Sequence, residues 1–191
     1  MDLILASTST YRHDLLARLR ISFRCESSGV EERAYDSLGL EPIHLAETLA
    51  RAKAVAVAAK GESSTVIGAD QLVAFEGRVL GKPGTEARAV EQLLAMAGRD
   101  HQLITAVAIA DGAGVEAITD VATMRIRPLT RAEAERYVAI DRPMDCAGSY
   151  KIESLGIALF DRIDAADHTA IVGLPLIALG RMLRARGFAI P

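Results

Sequence analysis

Leu3-Ile4-Leu5-Ala6 is a short unbroken apolar run, the pattern of a strand buried on both faces. From Tyr11 the spacing changes to Tyr11, Leu15, Leu16 and Leu19, which is helical. A second helix is expected from near Pro42, a residue suited to a first turn, through an Ala-rich stretch to Gly61 as its C′ residue. Thr65 to Ala69 reads as another buried strand. Leu72 to Phe75 and Arg78 to Leu80, separated by Glu76-Gly77, read as a hairpin.

Helical spacing returns from about Thr85 to Ala97, with Val90, Leu93, Leu94 and Ala97 on one face and Gly98 after them. Two strands follow, about His101 to Ala110 and Val115 to Arg127, joined by Asp111-Gly112-Ala113-Gly114. In the second, Ala122, Met124 and Ile126 alternate with Thr123, Arg125 and Arg127, so one face meets water. Thr130-Arg131-Ala132-Glu133 has the form of a capping box, and the helix it opens is expected to end near Ile140. Gly156 to Phe160 is a strand candidate, and Leu174-Pro175-Leu176 opens a final helix that Gly187 closes. Interleaved helices and strands with two hairpins predict an α/β fold on a mixed sheet.

Composition narrows the function classes. A chain of 191 residues, half of them hydrophobic and a quarter charged, can bury a sizeable core. Its formal charge of −3 gives no general pull toward nucleic acid polymers or anionic membranes, so any anion site must be local. The opening Met1-Asp2-Leu3-Ile4-Leu5 lacks a basic segment, and its apolar run is too short for a signal peptide or a membrane span, so the expectation is a cytoplasmic protein. Cys25 and Cys146 lie far apart without metal-ligand spacing and are read as reduced, packed thiols.

Ser7-Thr8-Ser9-Thr10 falls between a strand and a helix N-terminus, where free amides and the macrodipole attract anions. One of these hydroxyls can equally serve as a plain helix cap. Arg12 then places a cation in a first turn, where it opposes the dipole unless an anion joins it. Asp70 stands after a β-branched run, Thr65-Val66-Ile67, and is expected at a strand's C-terminal end, where open α/β sheets form ligand crevices. A turn aspartate bonding its own backbone is the plainer alternative. Glu31-Glu32 in an irregular segment, Lys53 in the Ala-rich helix and Lys82 in Gly81-Lys82-Pro83 add hard oxygen ligands and point charges suited to Mg²⁺ and a polyphosphate.

The blocks LILASTSTYR, GADQLV, GKP, CAGSYKIESLG and IVGLPLIAL stand in the order and spacing of the Maf nucleoside triphosphate pyrophosphatases, and the chain resembles that family over nearly its whole length. The resemblance implies one Maf-like domain over residues 1–191. It implies the elongated mixed α/β fold shared with inosine triphosphate pyrophosphatases, two lobes with a central cleft. The implied reaction is hydrolysis of a nucleoside triphosphate between its α and β phosphates with a divalent metal, Mg, Mn or Co. Asp70 matches the family's proton acceptor; Ser7, Ser9, Arg12, Lys53 and Lys82 match phosphate-contacting positions; Glu32, with Asp70, matches the metal-associated carboxylates. A homodimer is implied by the resemblance alone.

Within the family, Tyr11, Gln71 and the segment Ala147-Gly148-Ser149-Tyr150-Lys151-Ile152-Glu153 resemble the 7-methyl-GTP branch, and the three positions Tyr11, Gln71 and Glu153 are the expected determinants of substrate choice. N7-methylation gives guanine positive charge, which suits an aromatic face by about 0.5 to 2 kcal/mol, and one carboxylate can accept from N1–H and N2–H together. By spacing alone Tyr11 is also the first core residue of its helix, and Glu153 a surface charge. Ala69, Glu31 and Ser154 depart from that branch, and "GAD" is typical of the dTTP/UTP branch. A dTTP/UTP pyrophosphatase is therefore the alternative within the family, and a non-catalytic nucleotide-binding regulator of cell division the alternative outside catalysis.

Overall fold

A computed structural model describes residues 2–61 and 64–191; Met1, the first residue of the opening run, lies outside them. The chain divides into two compact units, one made of Met1–Gln71, Thr105–Asp120 and Asp167–Pro191, the other of Leu72–Ile104 and Val121–Ala166.

In the first unit β1 (Asp2–Leu5) is buried except at Asp2 and runs parallel to β2 (Arg24–Cys25) and to the beginning of β3 (Ser64–Phe75). Such a strand has neighbours on both edges and cover on both faces, so an unbroken apolar run is what it needs. Helix α1 (Thr10–Ala17) follows β1, and α2 (Pro42–Ala58) opens on Pro42 as expected. Leu3, Leu5, Leu15, Leu16, Ile67 and Ala69 share a core with Leu174, Leu179, Met182 and Leu183. The latter four come from the segment after α5 (His168–Val172) and from α6 (Leu176–Ala185).

Three readings of this region need correction. Gly61 is not a left-handed C′ residue: α2 ends because the amides of Lys60 and Gly61 turn back onto the carbonyls of Val57 and Ala58, a tightened last turn that needs no glycine. Thr65 to Ala69 and Leu72 to Phe75 are one strand, so Asp70 lies in the middle of β3, not at its end. The segment after Glu31 is not irregular but a 3₁₀ helix, Glu32–Leu38.

The second unit holds the far part of β3 paired antiparallel with β4 (Arg78–Leu80), then α3 (Glu86–Met96) capped by Thr85. Strands β5 (Asp100–Asp111) and β6 (Gly114–Ile126) follow, and the unit boundary falls inside both. Helix α4 (Arg131–Asp141) begins with the complete capping box, Thr130 receiving the Glu133 amide and Glu133 receiving the Thr130 amide. The Thr130 amide and hydroxyl, and after them the Arg127 guanidinium, hold the Glu133 carboxyl down at about 2. Gly156 to Phe160 is not a strand. Gly156 backs onto the Lys151 backbone and gives its amide to Asp141, so the chain coils as a 3₁₀ helix, Leu155–Leu159, and β7 (Phe160–Asp164) starts only afterwards, antiparallel to β6. Among the described residues seven strands form one mixed sheet in the order β2-β1-β3-β5-β6-β7, with β4 also on β3.

Candidate active site

Gly68 locates the first unit's chemistry. A Cβ there would stand 2.2 Å from the Ala50 carbonyl oxygen and 2.6 Å from the Ala54 nitrogen, so only glycine lets α2 lie this close to β3. Side chains two apart on a strand share a face, which turns Asp70 toward α2 as well. The buried Lys53, one residue before Ala54, donates from Nζ to Asp70 Oδ1 at 2.6 Å and pairs with Glu32 Oε1 at 2.6 Å. β1 leaves β3 at Ile67 and β4 joins it at Val73, so Asp70 occupies a stretch of that edge between two strand partners.

Burial raises the Asp70 pKa above the ordinary carboxylate range, and the ammonium of Lys53 and the guanidinium of Arg12 work against that rise. Asp70 Oδ2 is buried and has no hydrogen-bond partner among the described residues. An orphaned carboxylate oxygen is costly unless something completes it.

At the start of α1, Ser9 is the N-cap and accepts from the Arg12 amide, while the Ser7 hydroxyl accepts from the Ser9 amide. The capping reading of the hydroxyl cluster therefore holds for Ser9. Arg12 does not project into solvent: its Nε donates to the Gly173 carbonyl at 3.1 Å, and burial lowers its pKa against the pull of Asp70 and Glu32. A pocket of about 210 Å³ is lined by Ala6, Ser7, Thr8, Ser9, Arg12, Ser27, Ser28, Glu32 and Lys53. Two cations, a helix N-terminus and four serines beside Glu32 give it a lining suited to an anion. Asp70 reaches it through Lys53.

Tyr11 is 46% exposed, so it is not the first core residue of α1; Leu15 and Leu16 fill that role. Gln71 turns to the opposite face of β3 from Asp70. Its Nε2 donates to Thr105 Oγ1 and to the carbonyls of Ala170 and Ile171, at 2.9, 2.9 and 3.1 Å.

Lys82 and Glu153 belong to the second unit, and both are exposed. Neutral bonding holds the first of their loops, and charged side chains join in holding the second. Gln92 of α3 donates to the Gly81 carbonyl and accepts from the buried Ser149 hydroxyl, at 3.0 and 2.5 Å, linking the segment before Lys82 to the segment before Glu153. Asp141, the last residue of α4, receives Ser154 Oγ and the Gly156 amide, while Lys151 donates from Nζ to the Asp141 carbonyl. Tyr150 is a core residue, packed edge-on against Phe160 and bonded to His101. Gln92, Asp141, Thr105 and Gly173 escape the sequence reading because each acts through partners remote in sequence; only the glycine after the apolar run Ile171-Val172 hints at a backbone requirement.

The cysteines are free, as expected, but Cys25 is exposed rather than packed, and burial pushes the Cys146 thiol up to about 12, away from thiolate chemistry. Among the described residues no three His, Cys, Asp or Glu side chains cluster so as to hold a metal alone. Glu32 and the orphaned Asp70 oxygen nevertheless form a pair of hard carboxylate donors, which fits Mg²⁺-type ions that complete their shell with phosphate oxygens and water. No described helix is long and apolar enough to cross a membrane.

A family model described as Maf-like protein matches residues 2–186, and the chain belongs to the Maf family. It is 52% identical over 182 residues, 95% of each chain, to a 7-methyl-GTP pyrophosphatase of Bdellovibrio bacteriovorus. It is 48% identical to one of Xanthomonas oryzae pv. oryzae, over 99% of this chain and 98% of the relative. A Pseudomonas putida protein of the same description is 42% identical over the whole of both chains. Among solved structures, a Mycobacterium abscessus nucleoside-triphosphatase / dITP/XTP pyrophosphatase gives a TM-score of 0.43 at 16% identity, covering 68% of this chain and 76% of that one, too low to bear on the site.

Proposed function

We propose that the chain, acting as one pyrophosphatase domain, hydrolyses 7-methyl-GTP to 7-methyl-GMP and diphosphate and so keeps a modified nucleotide from being incorporated. The observation that carries this is full-length identity of 42 to 52% to relatives described as 7-methyl-GTP pyrophosphatases. Chemistry in the first unit supports it, because a pocket built of Ser7, Ser9, Arg12 and Lys53 suits a polyphosphate.

The αβ anhydride demands little covalent work from the protein; positioning and charge neutralisation dominate. Ser7, Ser9, the amides opening α1, Arg12, Lys53 and Lys82 hold the phosphate oxygens. Asp70 accepts a proton from the attacking water while the bond between the α and β phosphates breaks and diphosphate departs with its electron pair. Burial raises the carboxyl's basicity for that task, and Lys53 keeps it ionised. Glu32 and Asp70 would hold a divalent cation, which supplies Lewis-acid neutralisation of the phosphate charge. Tyr11, exposed beside Arg12, and Glu153, exposed in its own unit, are the base-side groups: a ring face for the cationic purine and a carboxylate for its adjacent N–H donors.

The test is diphosphate release from 7-methyl-GTP, GTP, dTTP and UTP with Mg²⁺. The expected result is fastest turnover of 7-methyl-GTP, with Glu153→Gln lowering its kcat/KM about tenfold, the worth of one charged hydrogen bond, and leaving the pyrimidine substrates unchanged. Much faster dTTP or UTP cleavage overturns the branch, and no diphosphate from any triphosphate overturns catalysis in favour of nucleotide binding alone.

A further inference from the structure

We propose that Gln71 is a positioning residue for Arg12 and so acts on the phosphate grip; this rests on the triphosphate reading of the pocket. On the face of β3 that carries Ile67 and Ala69 into the core, Gln71 is the next residue out. Its Nε2, with two hydrogens, meets three acceptors and has no donor left for a ligand. Two of those acceptors are carbonyls at the C-terminal end of α5, a helix of five residues that is too short to hold itself. The Thr105 hydroxyl, which receives Gln71, also donates to the Ala170 carbonyl at 2.9 Å.

The same helix end supplies the seat of Arg12. Gly173 caps α5 at φ 125°, a backbone that side chains other than glycine's avoid, and its carbonyl receives Arg12 Nε. A Cβ on Gly173 would lie 3.8 Å from both Cγ and Nε of Arg12 and 3.9 Å from Gln71 Oε1, so the three residues are in direct succession. Gln71 fixes the end of α5, α5 fixes the Gly173 carbonyl, and that carbonyl fixes the guanidinium that lines the anion pocket. With Nε spoken for, the Nη groups remain for an oxyanion.

The experiment measures binding of inorganic tripolyphosphate by calorimetry, since this probe has no base and needs no turnover. Gln71→Met, which keeps length and removes both donors, is expected to weaken binding about five- to tenfold in the native background and less than twofold in an Arg12→Ala background, the non-additivity of a shared function. Thr105→Val, which removes one hydroxyl, is expected to act in the same direction by two- to threefold and serves where Gln71→Met does not fold. Unchanged tripolyphosphate affinity in both variants, or equal losses with and without Arg12, overturns the proposal, as does lost discrimination among 7-methyl-GTP, GTP and UTP with tripolyphosphate affinity intact. If native protein binds tripolyphosphate but cleaves no triphosphate, the catalytic reading fails while the Gln71–Arg12 coupling is still measured.

Discussion

The two units hold their candidate residues in opposite ways. In the first, ionised groups hold one another: Lys53 lies between Asp70 and Glu32, and Arg12 is near enough to Asp70 to affect its titration. In the second, the charged candidates Lys82 and Glu153 stand exposed, while the neutral pair Gln92 and Ser149 and the charged Asp141 and Lys151 secure the backbone before and after them. Lys53 and Asp70 are desolvated and paired, which is expensive and raises the Asp70 pKa, while Glu32, the third member, stays largely exposed. Charges that must only greet a ligand can stay in water, provided the loop beneath them is stiff.

The sharpest way to break this contrast is Asp70→Asn, which removes the proposed proton acceptor and the buried charge together. Turnover is expected to fall by about 10² to 10⁴, measured as diphosphate release. Because burial raises the Asp70 pKa, the acid limb of the kcat profile should lie above the ordinary carboxylate value near 3.9. Activity rises with pH as the carboxylate forms, and that limb should vanish in the residual activity of the variant.

Next in size is Gly68→Ala. A Cβ 2.2 Å from a helix carbonyl must push α2 from β3, so a loss of about 3 kcal/mol or more in urea denaturation is expected, together with separation of Lys53 from Asp70. Retained stability and activity would mean that the close approach does not set the ion pair.

The second unit has a titration of its own. His101 is 3% exposed, bonded through Nε2 to Tyr150, and burial lowers its pKa to about 4 from 6.5. Below pH 6.5 the unfolded chain takes up the proton first, so stability should decline as pH falls from about 6.5 to about 4 and then level off, by about 3 kcal/mol in all. Denaturant midpoints of the native protein and of His101→Phe across that range read the effect; equal slopes would remove His101 from the account.

The smallest expected effect belongs to Gln92→Met, which unties Gly81 from Ser149 without touching a charge. A stability loss of about 1 to 2 kcal/mol should accompany a higher KM with kcat nearly kept, because the loops of Lys82 and Glu153 loosen while Asp70 and Lys53 are unaltered. A fall in kcat equal to that of Asp70→Asn would erase the difference between the units.

Local signals were legible where the cause is local. The Thr130 to Glu133 box, the Pro42 start, the alternation of Ala122, Met124 and Ile126 and the turn at Asp111 all follow from contacts within a few residues, and all stand in the structure. The strand expected at Gly156 was misread because its apolar run resembles a buried strand, whereas Asp141, fifteen residues earlier, takes the Gly156 amide and coils the chain. Asp70 is expected at a strand end because the β-branched run Thr65-Val66-Ile67 stops before it, whereas β3 runs on to Phe75. Tertiary contact gives Gly68, between the two, its use as the point where a helix touches the strand.

Sequence by itself determined the family and most of the element types, and it named the candidate chemistry-bearing residues, because propensity, period and motif are properties of short stretches. Only the tertiary structure decided which of those residues meet. Lys53 reaches Asp70 because α2 closes on Gly68, and Gln71 spends its amide on α5 because β3 turns it away from Asp70. Pairings between groups far apart in the chain depend on packing distances, and no local pattern encodes a distance.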